Sequence, residues 1–481
     1  MKKSIVKNWL ILVIVLLAVF LRLYRLPQVT TFLGEQGRDL IIANTILQGK
    51  LTLLGPPTSM SNVHFGPFYH YFNAFFLLLF NRNPIGPAIG FSLLSITSVY
   101  FVYSIAALLG HKRAGYFSAL LWAVSPWMVE YGRNIFNSYF ITGFSVFAFW
   151  CLVKFLKTKE LKSALLLLLL AGVFSGLAVQ ANFLAAGLPL GLFLILILKK
   201  VAWKKHLLFC FGLFLAILPY LVFELRHQFF NTRAFLDLSR VGKAITFSGQ
   251  TFLQKLVLNL WQVFYYLFGF GYINILSTFL LVLILLGVAL VVIKDRKSEA
   301  LPLTFIMLFT GLIIPTIYPG QMLVHYLGVV YPYAFLLVGL LFESLSFRVK
   351  YVSYFLIAGL VILNLNKVSF VQQSMPKGWD LAGVRLAARI IEQDAEGNFN
   401  IANLLDGDTR AYSYRYFVQL AKKQPLGVED YPKADTLYVI ARDTENVLDY
   451  PVWEISSFTP AKITKTWPIK NSISVFKLEK I

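Results

Sequence analysis

The chain has 481 residues, 58% hydrophobic and 16% aromatic, with a formal net charge of +21, which is too apolar for a soluble globular domain. Its two cysteines, Cys151 and Cys210, lie inside apolar runs, which excludes a disulfide framework and a cysteine-rich metal site. Residues 1–366 carry 29 Lys/Arg against 9 acids, whereas residues 367–481 carry 15 against 14. The basic residues cluster between apolar runs, the pattern of membrane topology, so a nucleic-acid partner is rejected.

The first apolar run, Trp9 to Leu23, follows Lys2, Lys3 and Lys7. It has the layout of a signal peptide, but no small-x-small cleavage site follows, and it reads as a retained helix. Runs of roughly 17–25 apolar residues each cross about 30 Å of hydrocarbon. They predict spans near 9–25, 85–109, 115–131, 139–156, 163–179, 184–198, 207–223, 272–293, 301–317, 326–345 and 351–366. The clusters "MKKSIVK", "HKR" (111–113), "KFLKTKELK" (154–162), "KKVAWKKH" (199–206), "KDRK" (294–297) and "FRVK" (347–350) mark cytoplasmic loops. Eleven crossings then place the N-terminus in the cytoplasm and the tail after Asn366 outside. The run "GPFYHYFNAFFLLLF" (66–80) is short and aromatic and reads as a helix lying in the outer interface, anchored by Tyr69, His70 and Tyr71. Residues 251–271 read as a second interfacial helix.

In this topology several polar loops converge on one face. "TTFLGEQGRDLII", from Thr30, carries Glu35, Arg38 and Asp39; "HFGP" carries His64; "YGRNIFNS" carries Arg133 and Asn137. "FELRHQFFNTR" carries Glu224, Arg226 and His227, and "YPGQMLVHY" carries His325 and Tyr326. After residue 366 the pattern changes. "WDLAGVRLAARIIEQDAEG" and "TRAYSYRYFVQLAKK" have helical spacing, and "FNIANLL", "DTLYVIA" and "SISVFKLE" read as strands. The expected organisation is a transmembrane domain, 1–366, followed by an extracytoplasmic α/β domain, 367–481.

The order of these motifs resembles the membrane glycosyltransferases of the protein O-mannosyltransferase and lipid A aminoarabinose transferase group. It consists of a first helix, an external loop with acids and an Arg, then "GPFYHY", then "RNIFN" after the third span. The resemblance covers roughly residues 1–365 and implies a GT-C fold and transfer of a sugar from a polyprenyl-phosphate donor to an acceptor outside the cytoplasmic membrane. Where that group has an Asp-Glu pair followed by Arg, this chain has Glu35, Gln36 and Arg38. Glu35 thus takes the catalytic acid position, with Asp39 as a rival. In the aminoarabinose transferases a carboxylate and Lys precede the proline. Here His64, Phe65 and Gly66 precede Pro67, so no carboxylate carries over. Arg133 and Asn137 match the second external loop of the group, and Glu224, Arg226 and His227 resemble the third.

Such a transfer needs a base for the acceptor hydroxyl and fixed cations for the leaving phosphate. Glu35, partly desolvated beside the membrane, is the candidate base; the plain alternative is a salt bridge to Arg38. Asp39 shares a helical face with Glu35 and either positions the acceptor or holds Arg38. Arg38, Arg133 and Arg226 are phosphate candidates, against interfacial snorkelling. His227 and His325 either bind phosphate, share a divalent metal with Glu35, or are satisfied loop histidines. Asn137 either binds sugar or starts the next helix. No HExxH or cysteine pair supports a dedicated metal site, and a divalent ion is the only candidate cofactor. The expected partners are the lipid-linked donor, an unknown acceptor and membrane lipid. A lipid-linked glycan polymerase or ligase is the alternative. A transporter fits less well, because the predicted midplanes lack carboxylates.

Overall fold

The computed structural model describes residues 9–58, 63–234, 236–237, 251–269, 287, 298–318, 322–373 and 376–481. The chain opens with α1 (Trp9–Leu23), the single turn α2 (Leu26–Val29), α3 (Gly34–Ile46) and α4 (Phe68–Leu79). Next come α5 (Ile85–Leu108), α6 (Lys112–Val124), the short α7 (Pro126–Tyr131), α8 (Tyr139–Lys157) and α9 (Leu161–Ala181). They are followed by α10 (Gly187–Leu198), α11 (Trp203–Arg226), α12 (Phe252–Leu267), α13 (Ala300–Ile317), α14 (Tyr331–Arg348) and α15 (Lys350–Leu365). In hydrocarbon every backbone polar group needs an internal partner, so helices are the form these runs take. Among the described residues α5, α8, α9, α11 and α13 are long and apolar enough to cross a membrane, and α1, α4, α10, α14 and α15 are shorter apolar helices. The predicted span 272–293 lies outside the described residues apart from Gly287.

The single helix predicted near 115–131 is divided. Proline at 126 lacks an N–H and pushes the preceding residue out of helical geometry, so Ser125 adopts ψ 120 and α7 sets off in a new direction. Close helix packing is clearest between α9 and α11. A Cβ on Gly172 would collide with the Phe209 carbonyl oxygen, and one on Gly212 with the Leu169 carbonyl oxygen. Small residues let two backbones touch where lipid supplies no hydrophobic drive.

The two ends of the bundle differ in chemistry. At one end His111 contacts Glu343 at 2.5 Å, and Lys157 and Lys199 both grip Glu299, at 2.8 and 2.7 Å. At the other end the C-terminal part docks. It comprises α16 (Leu381–Asp394), β1 (Phe399–Asn403), α17 (Tyr412–Leu420), β2 (Thr436–Arg442), the short α18 (Trp453–Ser456), β3 (Ala461–Lys470) and β4 (Ile473–Lys480). The sheet order is β1-β2-β4-β3, parallel between β1 and β2 and antiparallel elsewhere. Asp380 caps α16 by accepting from the Gly383 N–H at 3.0 Å. β3 is the strand that sequence reading missed. It is an edge strand, mostly exposed, with lysines at 462, 465 and 470 and a proline at 468. Those are devices that blunt an edge and also hide it from a strand pattern.

Candidate active site

The site is built on α3. Its start is fixed by Gln36, whose side-chain oxygen accepts the Leu33 N–H at 3.0 Å. An amide does that as well as a carboxylate, which gives a structural reason for glutamine beside Glu35. The loop before α3 is tied to the 132–138 loop. The Thr31 N–H donates to Asn134 Oδ1 at 2.6 Å, and the Thr30 hydroxyl donates to the Arg133 carbonyl at 3.1 Å. Asn134 also donates to Glu130 Oε1 at 2.9 Å. Asn134 therefore links the first polar loop to a second carboxylate that sequence reading did not place in the site.

The carboxylates of α3 have different surroundings. Glu35 is exposed, whereas Asp39 is only 4% exposed. The desolvation expected at Glu35 thus falls on Asp39. Burial pushes the Asp39 carboxyl up to about 7, even though Arg38 lies 2.9 Å away and pulls in the opposite direction. Desolvation outweighs the ion pair here. Below α3, the buried Tyr69 phenol lies within electrostatic reach of Asp39. Tyr69 and His70 are buried at 2% and 1% exposure, so they support α3 and are not the interfacial anchors expected from the sequence. Tyr71 donates its hydroxyl to the Thr52 carbonyl at 2.8 Å.

Glu35 stands where three regions meet. It is within electrostatic reach of Asp39, of Tyr139 and of Asp406 in the C-terminal part. Burial raises the Asp406 carboxyl to about 6. Tyr139 also feels Glu130, and both line a cavity of about 550 Å³ with Trp127, Tyr265, Tyr266 and Lys367. Lys367 donates to the Gly269 carbonyl. Tyr139 stacks on Tyr131 with centroids 3.8 Å apart, and Trp127 lies against Tyr266 at 4.8 Å. Aromatic walls with one carboxylate and one ammonium form a pocket suited to a polar ring of sugar size. The sequence signal for Glu130 and Lys367 is the position of each at or just beyond a helix end.

α3 is held from above by the C-terminal part. A Cβ on Gly34 would strike the Asp408 side chain, and one on Gly37 would strike the backbone of Tyr412 and Ser413. Phe32 meets Tyr416 and Phe417 edge-on at 5.9 and 5.7 Å. Glycine is needed at both positions for this approach.

The other sequence candidates take different roles. Arg133 is a correction. Its guanidinium is buried, donates to the Leu21 and Ser369 carbonyls and lies over the Phe370 ring at 4.9 Å, which leaves it no phosphate to hold. Asn137 is buried and donates to the Ala181 carbonyl at 2.8 Å, so it ties a loop and does not face a sugar. Glu224 accepts from the Asn231 and Thr232 N–H groups at 3.1 and 2.9 Å and from the Thr232 hydroxyl. Asn231 in turn accepts from the His64 N–H at 2.9 Å, so Glu224 organises its own loop around the "HFGP" segment. Arg226 is exposed at the end of α11. His227 stacks on Phe223 and donates Nδ1–H to its carbonyl at 3.0 Å. His325 packs edge-on against Phe136 and Tyr326 at 5.1 and 4.6 Å, and burial lowers it to about 4. Tyr326 is buried beside it. Among the described residues no three His, Cys, Asp or Glu side chains come together as a metal site, so Glu35, His227 and His325 do not form the ligand set considered from the sequence.

A family profile described as dolichyl-phosphate-mannose-protein mannosyltransferase matches residues 64–223. That segment begins after α3, so Glu35 lies outside it. No curated protein matches the chain. Among solved structures, ArnT from Cupriavidus metallidurans bound to undecaprenyl phosphate superposes with a TM-score of 0.69 at 11% identity, covering 98% of each chain. The same protein in the apo state gives 0.66 at 11% identity, again over 98% of each chain. The Archaeoglobus fulgidus oligosaccharyltransferase tethered to an acceptor peptide gives 0.53 at 14% identity, covering 91% of this chain and 69% of the other. The fold is therefore GT-C, in a polytopic helical membrane protein with a small C-terminal sheet domain.

Two outcomes follow from this geometry. Arg133→Ala removes the donors from two carbonyls and should lower stability by roughly 3 kcal/mol. Thermal unfolding in detergent reads this, while the donor KM of the folded fraction stays unchanged; a raised KM with normal stability would return Arg133 to phosphate binding. Asp39 has a folded pKa of about 7 against an ordinary value of 3.8, so the folded state binds its proton more tightly. Stability is then present below the ordinary pKa and is lost as pH rises through the folded one, on the order of a few kcal/mol. Asp39→Asn should flatten the fall in unfolding midpoint between pH 5 and 8, and an unchanged slope would refute the assignment.

Proposed function

We propose that this GT-C chain transfers a sugar from a polyprenyl-phosphate donor to an acceptor, with Glu35 as the general base. The observation that carries the reading is the position of Glu35. It is exposed at the first turn of α3, within electrostatic reach of Tyr139 in the wall of the aromatic cavity and below the C-terminal part. The family profile and the fold likeness support the same reaction class. In the reaction the acceptor oxygen forms a bond to the sugar anomeric carbon, and the bond from that carbon to the phosphate oxygen breaks. The acceptor proton passes to the Glu35 carboxylate, and the phosphate leaves with the bonding electron pair.

Arg38 is partly exposed beside Glu35, with a side-chain exposure of 21%, and is the cation best placed to meet the leaving phosphate. Arg226, exposed at the end of a spanning helix, is suited to guide the lipid headgroup. The cavity walls Trp127, Tyr139 and Tyr266 receive the sugar, and Glu130 accepts from its hydroxyls. Asp39 holds Arg38 in place, so it acts through that residue and does not touch the acceptor. No step is assigned to a metal ion.

The site end of the bundle faces away from the cytoplasm in this reading. The basic clusters around His111, Lys157 and Lys199 gather at the opposite end, as positive residues do on the cytoplasmic side. Residues 367–481 then form an extracytoplasmic domain.

Glu35→Gln keeps the side-chain shape and removes the basicity. Transfer from a synthetic polyprenyl-phosphate sugar by the purified variant should fall by about 10²-fold or more, with normal expression. Turnover within a factor of two of the parent would move the role to another group. The orientation is checked with Lys462→Cys on exposed β3 in a Cys210→Ala background. That thiol should react with a membrane-impermeant maleimide in intact cells or spheroplasts, and labelling only after lysis would reverse the topology.

A further inference from the structure

A second cavity shares no lining residue with the one that holds Glu130 and Lys367. It measures about 430 Å³ and sits between α16 and the bundle, lined by Pro27, Ile85, Leu381, Leu386, Arg385 and Arg389. Arg385 and Arg389 are one helical turn apart on α16, and both are exposed. Arg82, in the turn between α4 and α5, is also exposed. Its carbonyl accepts the Tyr416 hydroxyl at 2.6 Å, and Tyr416 lies within electrostatic reach of both Arg82 and Arg385. Among the described residues none of the three guanidiniums pairs with a carboxylate. Arg385 rests on the Phe417 ring at 5.2 Å, which orients the guanidinium without neutralising it.

Three unneutralised arginines around one groove attract a phosphate. The surface beside them decides whether that phosphate is free or carried by a lipid. α4 ends in Leu78, Leu79 and Phe80, which are 65%, 59% and 37% exposed and lead directly to Arg82. Leu386, between the two arginines of α16, is 44% exposed. An exposed apolar strip thus runs up to the cationic groove. A headgroup seated on the arginines would leave its acyl chains along α4.

We propose that this groove binds the phosphate headgroup of an anionic glycerophospholipid in the leaflet next to the C-terminal part, and so fastens α16 to the membrane surface. The site uses no residue assigned to sugar transfer, and it stands or falls independently of that reading.

The test uses the full chain, purified in a neutral detergent and analysed by native mass spectrometry with added phosphatidylglycerol or phosphatidylcholine. The parent should retain phosphatidylglycerol preferentially, and raised salt should weaken this. The double variant Arg385→Gln with Arg389→Gln should retain about thirtyfold less phosphatidylglycerol, with phosphatidylcholine unchanged. Arg385→Lys with Arg389→Lys should keep most of the binding, because the charge remains. Arg82→Gln alone should give a smaller loss in the same direction, and it perturbs no helix. Equal retention by parent, glutamine variants and lysine variant overturns the proposal. Displacement by millimolar inorganic phosphate, or stronger retention of a prenyl phosphate than of phosphatidylglycerol, also overturns it, since the occupant is then a free anion or an isoprenoid.

Discussion

Arg22 and Arg133 bring two positive charges into the interior, and the site end of the bundle hangs on how they are satisfied. Arg22 is fully buried and donates to Ser95 Oγ at 2.7 Å and to the Ala123 and Trp122 carbonyls at 3.0 and 3.4 Å. Arg133 donates to the carbonyls of Leu21 and Ser369. Three of these carbonyls, at Leu21, Trp122 and Ala123, belong to the last turns of α1 and α6, where helical oxygens lack intrahelical partners and carry partial negative charge. Burying a guanidinium costs several kcal/mol, and the arrangement persists because the helix ends need donors just as much. Each arginine thereby cross-links segments distant in the chain.

The remaining geometry follows from those links. With Arg133 fixed, the 132–138 loop holds Asn134 between Thr31 and Glu130. With Thr31 fixed, the segment leading into α3 is set, and Gln36 closes the first turn. Glu35 then emerges from a turn whose backbone is bound below by α4 and above by the C-terminal part. Its neighbours are specialised. Asp39 is buried with Arg38, and Glu130 opens on the aromatic cavity. Glu35 itself stays exposed at the first turn of α3.

Much of this was legible in the sequence. Long apolar runs separated by basic clusters gave the helical membrane architecture, and the motif order implied the GT-C fold that the structure has. The helices at 381–394 and 412–420 and three of the four strands also follow from periodicity and capping. What was hidden depends on distance in space. A buried arginine and an interfacial one look alike in a sequence, so Arg133 read as a phosphate ligand although two carbonyls claim it. Asn137 and Glu224 are polar residues near helix ends whose partners, Ala181 and the 231–232 backbone, no spacing rule points to. Glu130 and Lys367 lie more than 200 residues apart and share a cavity only after folding. Pro126 was in plain view, but an apolar run on both sides concealed the break it makes.

The order of strands in the C-terminal sheet has a consequence for biogenesis. β4 pairs with both β2 and β3, so the sheet lacks a central member until residues 473–480 have been synthesised. Asp408, against Gly34, and the first residues of α17, against Gly37, are carried by that sheet domain. A ribosome therefore reaches residues 473–480 before the helix bearing Glu35 acquires its covering surface. Every span can be threaded into lipid while the reactive end is still unassembled. A chain that stalls before β4 would present a membrane bundle of normal shape with an uncovered α3, a surface that cellular quality control can distinguish from the finished protein.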